Sequence, residues 1–538
     1  MSLTERLAIQ EFETLAEAIV LRGYYKPGGD SGASLRSIMA KSHPALYPHV
    51  DEADRVDAAA LMYVLRRLPD EFWNVRQITV SREVCKDIRD DFPPVRTEAR
   101  RRPTYRTGEG MYATALRGGT SDLLDFISAV TCFQIEADKI RAKYRHYRAK
   151  REEDDSQFGV WDDIERLNDD AMDADRRHSL LHALSVEFRA DYADVKALDA
   201  ALGGQLPELT RTIAHSGPKD LKIIFADAFG LVADYGTRAK QWATSVCGAV
   251  DELGLGDKEV FVVSSNLHSI VNCLSPFVRE RGRTEEWDDA NDYARVRDLL
   301  EDASVARARA ERDEEGGIFT LETPEHMPVC QLVDLARVES ELIDDRIPWR
   351  GRTDGVILNM DYAFGEEGFF LFNELLEHLG SRVRGVYIMG KAGSLVGERG
   401  DIMLPTFFVK LGSGDVYDVH NCMTASDFDG FDGIDVHADG PMLTVAGTFL
   451  QNRVALSYFR DHWNALGVEM EGTPYARALA QARLRQRVVP PLSVGVAYYA
   501  SDAPLSSDLL SEPLADEGAR AAYAVTVAIL RNILGQKT

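Results

Sequence analysis

Three acidic residues in the last third of the chain stand where proteins seldom bury charge. In GVEMEG (467–472), Glu469 and Glu471 flank Met470 at the end of an apolar segment, and in YYASD (498–502) an apolar run closes on Ser501 and Asp502. A carboxylate is rarely buried without a partner, so carboxylates at the ends of core strands suit general acid–base work and the binding of hydroxyl groups. Glu469 and Glu471 share a face if their segment stays extended, and part if it turns. Asp502 has a plainer reading as the cap of a following helix. Two further features lie close by in sequence. GKAGSL (390–395) places Gly390 and Gly393 in a turn straight after an apolar run. Backbone without Cβ atoms can approach a ligand there and offer N–H donors. Lys391, between them, is a point charge suited to phosphate. GTFLQN (447–452) ends another apolar run on Phe449, whose ring can stack on a flat ligand or fill a core.

The elements that must position these residues alternate. GVILNM (355–360) and GVYIMG (385–390) read as strands on either side of a helix from Gly368 to Leu379. DIMLPTFFVK (401–410), MLTVAGTFL (442–450), a helix Arg453 to Leu466, VEMEG with its following helix, LSVGVAYYASD (492–502) and a closing helix Asp516 to Leu534 complete the pattern. Strands that run into Gly or polar residues at their carboxyl ends are where open α/β sheets place their sites. Upstream, residues 1–215 read as a mainly helical region, with a long helix from Thr120 to Tyr147 and a Pro- and Arg-rich crossing from Phe92 to Arg106. LKIIFADAF (221–229) and EVFVVSS (259–265), separated by a helix from Thr237 to Leu253, read as a short α/β segment, 216–345, that carries a highly charged excursion. The expected architecture is therefore α/β. A C-terminal domain, 346–538, has a central mixed sheet flanked by helices, and the helical region and the short α/β segment precede it.

In order, spacing and flanking strands, residues 352 to 530 resemble the nucleoside phosphorylase and methylthioadenosine nucleosidase superfamily. The features that match are the Gly-rich turn with its GDI-type strand, the aromatic-bearing loop, the VEME segment and the strand ending in Ser-Asp. The resemblance implies cleavage of the bond between a purine-type base and a ribose. Under it, Asp502 is the general acid toward N7 of the base, raised in pKa by burial and oriented by Ser501. Glu471 grips the ribose hydroxyls, Met470 lies against the sugar, Phe449 stacks on the base and the backbone around Leu450 reads its edge. The role of Glu469 varies within the family. Where the phosphorylases carry an Arg and a small hydroxyl residue, this chain has Ile388 and Lys391, which favours water over phosphate as nucleophile. In DYAFGEEGF (361–369), Glu366 or Glu367 can activate that water, or both can simply favour the first turn of a helix. The large N-terminal region resembles AMP nucleosidase in layout alone.

Composition sets the remaining bounds. The 538 residues carry 62 Lys plus Arg against 87 Asp plus Glu, a formal charge of −25. Such a field repels nucleic acid and anionic membranes but need not repel a small anionic substrate, and the resemblance implies a small nucleoside or nucleotide, with inorganic phosphate, as the partner. The six cysteines are scattered without a CxxC pair or zinc spacing, so neither metal nor cofactor is expected and the thiols are expected to be reduced. The acidic N-terminus lacks a signal pattern, which points to a cytoplasmic protein. The resemblance adds a homo-oligomer. No P-loop, GxGxxG opening a helix, GxSxG or HExxH is present. The arginines of RRRPTYR (Arg100 to Arg106) are a candidate phosphate clamp, with a surface basic patch as the plainer account. The tracts 110–122 and 133–139 are expected to touch a ligand, and His268 is the one histidine in a site-like position. A protein that keeps the pocket for sensing without turnover is the alternative to an enzyme.

Overall fold

The computed structural model describes every residue except 1–2, 100–101, 117–118, 154–157, 167–172, 233, 286–291, 326, 506–515 and 536–538. The chain divides into two compact units. Unit 1 is 1–234 with 446–455, and unit 2 is 235–445 with 456–538. Among the described residues no helix is long and apolar enough to cross a membrane.

Unit 1 contains a five-stranded sheet where the sequence predicts mainly helix. Its strands are β1 (Tyr24–Tyr25), β2 (Gln77–Ser81), β3 (Thr104–Gly108), β4 (Met111–Ala115) and β5 (Lys222–Phe225), in the order β1-β5-β2-β4-β3. β5, β2 and β4 run parallel, with antiparallel β1 and β3 at the edges. These strands are short and β2 alternates in burial, so little of the sheet shows as a continuous apolar run. LKIIFADAF thus joins the first unit, and the 216–345 segment expected from sequence is divided between the two.

The long helix α1 (Gly119–Glu153) is buried on nearly every side from Leu123 to Ile140, as the central helix of a core must be. This burial bears on two ligand-contact expectations. In the tract 133–139, Glu136 is wholly buried and bonded internally. It accepts from the Tyr47 hydroxyl, from Asp57 N at 2.8 Å and from Lys139 Nζ at 2.8 Å. Arg102, buried within the Arg-rich stretch, donates to Asp122 at 2.6 Å, Asp125 at 2.9 Å and the Arg67 carbonyl at 2.8 Å. Arg102 therefore serves as a structural cation, and residues 100–101 of the stretch lie outside those described. Of the tract 110–122, residues 117–118 also lie outside.

Burial raises the Glu136 pKa to about 7, against the pull of Lys139 and Tyr47. A carboxyl whose pKa is higher folded than unfolded binds its proton more tightly in the folded state. Its contribution is therefore fully present below the unfolded value and is lost as pH rises through about 7. Unfolding experiments at pH 5 and pH 8 should show wild type losing up to about 3 kcal/mol more between the two than Glu136→Gln. Parallel pH slopes in the two proteins would contradict this.

Unit 2 is built on a ten-stranded sheet. Its strands are β6 (Glu259–Ser264), β7 (Ile318–Thr320), β8 (Cys330–Asp334), β9 (Gly355–Met360), β10 (Val383–Ser394), β11 (Ile402–Lys410), β12 (Val416–Asp418), β13 (Val436–Thr444), β14 (Gly467–Glu469) and β15 (Ser493–Asp502). The order is β12-β11-β13-β14-β10-β6-β9-β8-β7, with β15 pairing both β10 and β11. That double pairing closes β10, β14, β13, β11 and β15 into a ring. β6, β9, β10 and β15 are parallel, and β6 and β9 are buried on both faces along most of their length, as their largely apolar sequences require. Val262 and Leu358 face one core cluster, Val263 and Ile357 the other. One cluster takes in the helix α2 (Glu367–Leu379), and the other the C-terminal helix α3 (Asp516–Leu534), which the sequence places correctly.

The mixed sheet flanked by helices is as expected, but its extent differs. The sheet includes β6, β7 and β8, all before residue 346, and loses 446–455 to unit 1. The Gly-rich turn also differs, because Gly390 and Gly393 lie within the twelve-residue strand β10, and the chain turns only after Ser394.

Candidate active site

The carboxyl end of β10 is the point around which the sequence-predicted residues gather. Gly393 there pairs with Asp502 of β15 and with Val468 of β14. Asp502 and the acidic turn after Val468 therefore flank one strand end from opposite sides, about 10 Å apart at the usual strand spacing.

β14 stops at Glu469 and the chain turns, so the two glutamates part. Glu469 goes inward, 4% exposed. It accepts from the Thr444 hydroxyl of β13 and from the backbone N–H groups of Glu471 and Gly472, each at 2.5 Å, with the Tyr498 hydroxyl at 3.5 Å. Burial raises its pKa to about 7 in spite of these donors. Glu471 is half-buried at the N-cap of the helix Gly472–Leu484, and its Oε1 accepts from Gly365 N at 3.3 Å, in the loop between β9 and α2. Met470 between them is half-buried.

Ser501 and Asp502 are half-buried at the end of β15. The Ser501 hydroxyl lies 2.7 Å from Asp502 Oδ1 and 3.2 Å from the Ala392 carbonyl, so it can hold the carboxyl in place from strand β10. The two glycines have packing reasons for their lack of a side chain. A Cβ on Gly390 would stand 2.4 Å from the Tyr498 ring, and one on Gly393 2.5 Å from Pro504. Lys391 is exposed on β10.

Other predicted residues are drawn elsewhere. Glu366 is clamped between Lys410 Nζ at 2.7 Å and Arg477 at 2.6 Å. Burial pushes its pKa up, but the two cations outweigh that and hold it below the usual range. Both oxygens are engaged, so the residue anchors cations and is a poor base for water. Glu367 is buried in the first turn of α2. Phe449 and Leu450 belong to unit 1, where Phe449 is fully buried with its ring edge-on to Tyr63 at 5.3 Å and Tyr47 at 6.4 Å. The strand that was to end on this aromatic stops at Thr444.

A polar network at the ends of β6 and β9 escaped sequence reasoning. Ser265 Oγ donates to Asn359 Oδ1 at 2.7 Å, Asn359 Nδ2 to Gln331 Oε1 at 3.0 Å, and Gln331 Nε2 to the Leu267 carbonyl at 2.9 Å. Asn359 within the apolar strand GVILNM was the available signal. His268, just beyond, has Nδ1 3.3 Å from the Tyr523 hydroxyl, and burial and Arg309 lower its pKa. Thr444 and Tyr498, which hold Glu469, had no sequence signal beyond their polar atoms in apolar runs. Among the described residues no group of three His, Cys, Asp or Glu is placed to hold a metal ion.

Comparison with known proteins adds a family. A profile described as "Family of unknown function (DUF6909)" matches residues 33–287 and 285–535. None of the curated proteins matches the chain. Among solved structures, isoform 2 of uridine phosphorylase from Schistosoma mansoni aligns at 12% identity over 52% of this chain and 89% of its own, with a TM-score of 0.32. A putative methylthioadenosine nucleosidase from Weissella paramesenteroides aligns at 11% over 52% of this chain and 100% of its own, TM-score 0.31. A futalosine hydrolase mutant from Helicobacter pylori aligns at 13% over 51% and 98%, TM-score 0.29.

Proposed function

For a chain that belongs to the family of unknown function DUF6909, we propose that unit 2 cleaves the N-glycosidic bond of a purine nucleoside or nucleoside 5′-phosphate. The observation that carries this reading is the pairing of Gly393 with both Asp502 and Val468, which brackets one strand end with two half-buried carboxyl groups. In the proposed reaction the C1′–N9 bond breaks and its electron pair passes to the base. Asp502 delivers a proton to N7, so the base leaves neutral, and Ser501 keeps the Asp502 carboxyl aimed. Glu471 accepts from the ribose hydroxyls and its charge favours the cationic sugar of the transition state. The oxygen of water then bonds to C1′, and its proton passes to solvent. Hydrolysis is favoured over phosphorolysis because Ile388 and Lys391 replace the arginine and the small hydroxyl residue of phosphorolytic relatives.

A nucleotide-binding protein without turnover is the second reading, favoured by the engagement of Glu366 with Lys410 and Arg477. One experiment separates the two. Purified protein is incubated with purine nucleosides, 5′-methylthioadenosine and nucleoside monophosphates, with and without inorganic phosphate, and free base is measured. Base release without phosphate is the expected result. Thermal stabilisation by these ligands with no release from any of them would transfer the assignment to the binding protein.

A further inference from the structure

Glu469 accepts four hydrogen bonds at the site, and the proposed reaction gives it no task. We infer that Glu469 is the positioning residue for Glu471, holding it where it can grip the ribose hydroxyls. This inference rests on the reading of unit 2 as a nucleoside-binding site.

The helix that follows β14 starts at Gly472, and the first N–H groups of a helix have no partner within it. Glu469 Oε2 takes two such donors, from Glu471 and Gly472. Its other oxygen takes the Thr444 hydroxyl, and that hydroxyl in turn accepts from Thr473 N at 3.1 Å. One buried carboxylate therefore fastens the backbone of residues 471 and 472 directly, and that of 473 through Thr444, to the end of β13. The position is filled tightly. A Cβ on Gly472 would lie 2.1 Å from the Phe408 ring and 2.8 Å from Glu469 Oε1. Tyr498 of β15 approaches Glu469 because Gly390 leaves room for its ring.

None of these partners is a cation. A buried carboxylate held only by hydroxyls and amides costs stability, since burial disfavours its charge. The same space could be filled by an apolar side chain, but the amides of 471 and 472 would then lose their acceptor. The consequence falls on Glu471, whose backbone conformation those bonds fix and whose half-buried carboxylate carries the proposed ribose contact. Misplacement by about 1 Å at such a contact costs on the order of 10²-fold in rate.

Glu469→Ala and Glu469→Gln in the full chain test the inference. Glutamine can keep its carbonyl on the two amides and turn its NH2 to the Thr444 oxygen, so it should rescue. Affinities for a purine ribonucleoside and its 2′,3′-dideoxy counterpart are measured by calorimetry, and hydrogen exchange is followed across 466–476. In Glu469→Ala the ribonucleoside should bind about tenfold or more weakly, with the dideoxy compound unaffected. Exchange should rise at 471 and 472, and Glu469→Gln should restore both readouts. Equal weakening of both ligands, or no change in either ligand or exchange, overturns the inference. If wild type binds neither nucleoside, the ribose reading itself falls and the exchange data decide the positioning role. Faster exchange at 471 and 472 in the alanine variant alone upholds it, and unchanged exchange refutes it.

Discussion

Asp502→Asn should lower kcat for base release by about 10²–10⁴-fold while leaving KM and the fold nearly unchanged. Asparagine matches aspartate in shape and can still donate a hydrogen bond to N7, but it has no proton to give up. The Ser501 hydroxyl, 2.7 Å from Asp502 Oδ1, has an equivalent acceptor in the amide carbonyl, so the local geometry survives. Asp502 is half-buried at a strand end, away from the tightly packed interior, which protects stability. The diagnostic is a ribonucleoside analogue whose leaving group, such as p-nitrophenolate, departs without protonation. Its cleavage should be indifferent to Asp502→Asn. An equal loss on both substrates would mean that Asp502 shapes the site and is not its acid.

Glu471→Gln should lower kcat/KM for ribonucleosides by about 10²-fold, with the loss mainly in kcat. The two charge-assisted hydrogen bonds proposed from the ribose to Glu471, each worth about 1.5–3 kcal/mol, would be weakened when one oxygen becomes an NH2 that cannot accept. The lost negative charge also no longer opposes the positive sugar as the bond breaks, and that interaction grows toward the transition state. The Gly365 N–H that donates to Glu471 Oε1 keeps an acceptor in glutamine, so the loop between β9 and α2 need not move. Steady-state kinetics with a ribonucleoside and its 2′,3′-dideoxy analogue would check this. A variant that loses both substrates equally would place Glu471 in the scaffold.

Much of what this chain can do is written in local pattern. Apolar runs such as GVILNM, VYIMG and VGVAYY are strands because their predominant hydrophobicity suits a sheet buried on both faces. The helix Asp516–Leu534 follows from residue periodicity, and its described bounds match those expected. Glu469, Glu471 and Asp502 stand out because carboxylates are costly at the ends of such runs. Each of these inferences needs only near neighbours in sequence.

Tertiary structure alone decided the partners. KIIF and EVFVVS read alike as strands, yet one pairs with β2 in unit 1 and the other with β9 and β10 in unit 2. Strand pairing joins residues far apart in the chain, and no local period encodes it. By sequence Phe449 could stack on a ligand or fill a core, and its burial against Tyr47 and Tyr63 in unit 1 depends on where residues 446–455 are taken. Glu366 was a candidate base until Lys410 and Arg477 were brought to it. The turn after Glu469, which sends one carboxylate inward and leaves the other half-buried, depends on donors from Thr444 and the 471–472 amides. Sequence named the residue types that can do chemistry. Long-range packing decided which of them are held wholly inside the protein, as Glu469 is, and which stay half-buried at a strand end, as Glu471 and Asp502 do.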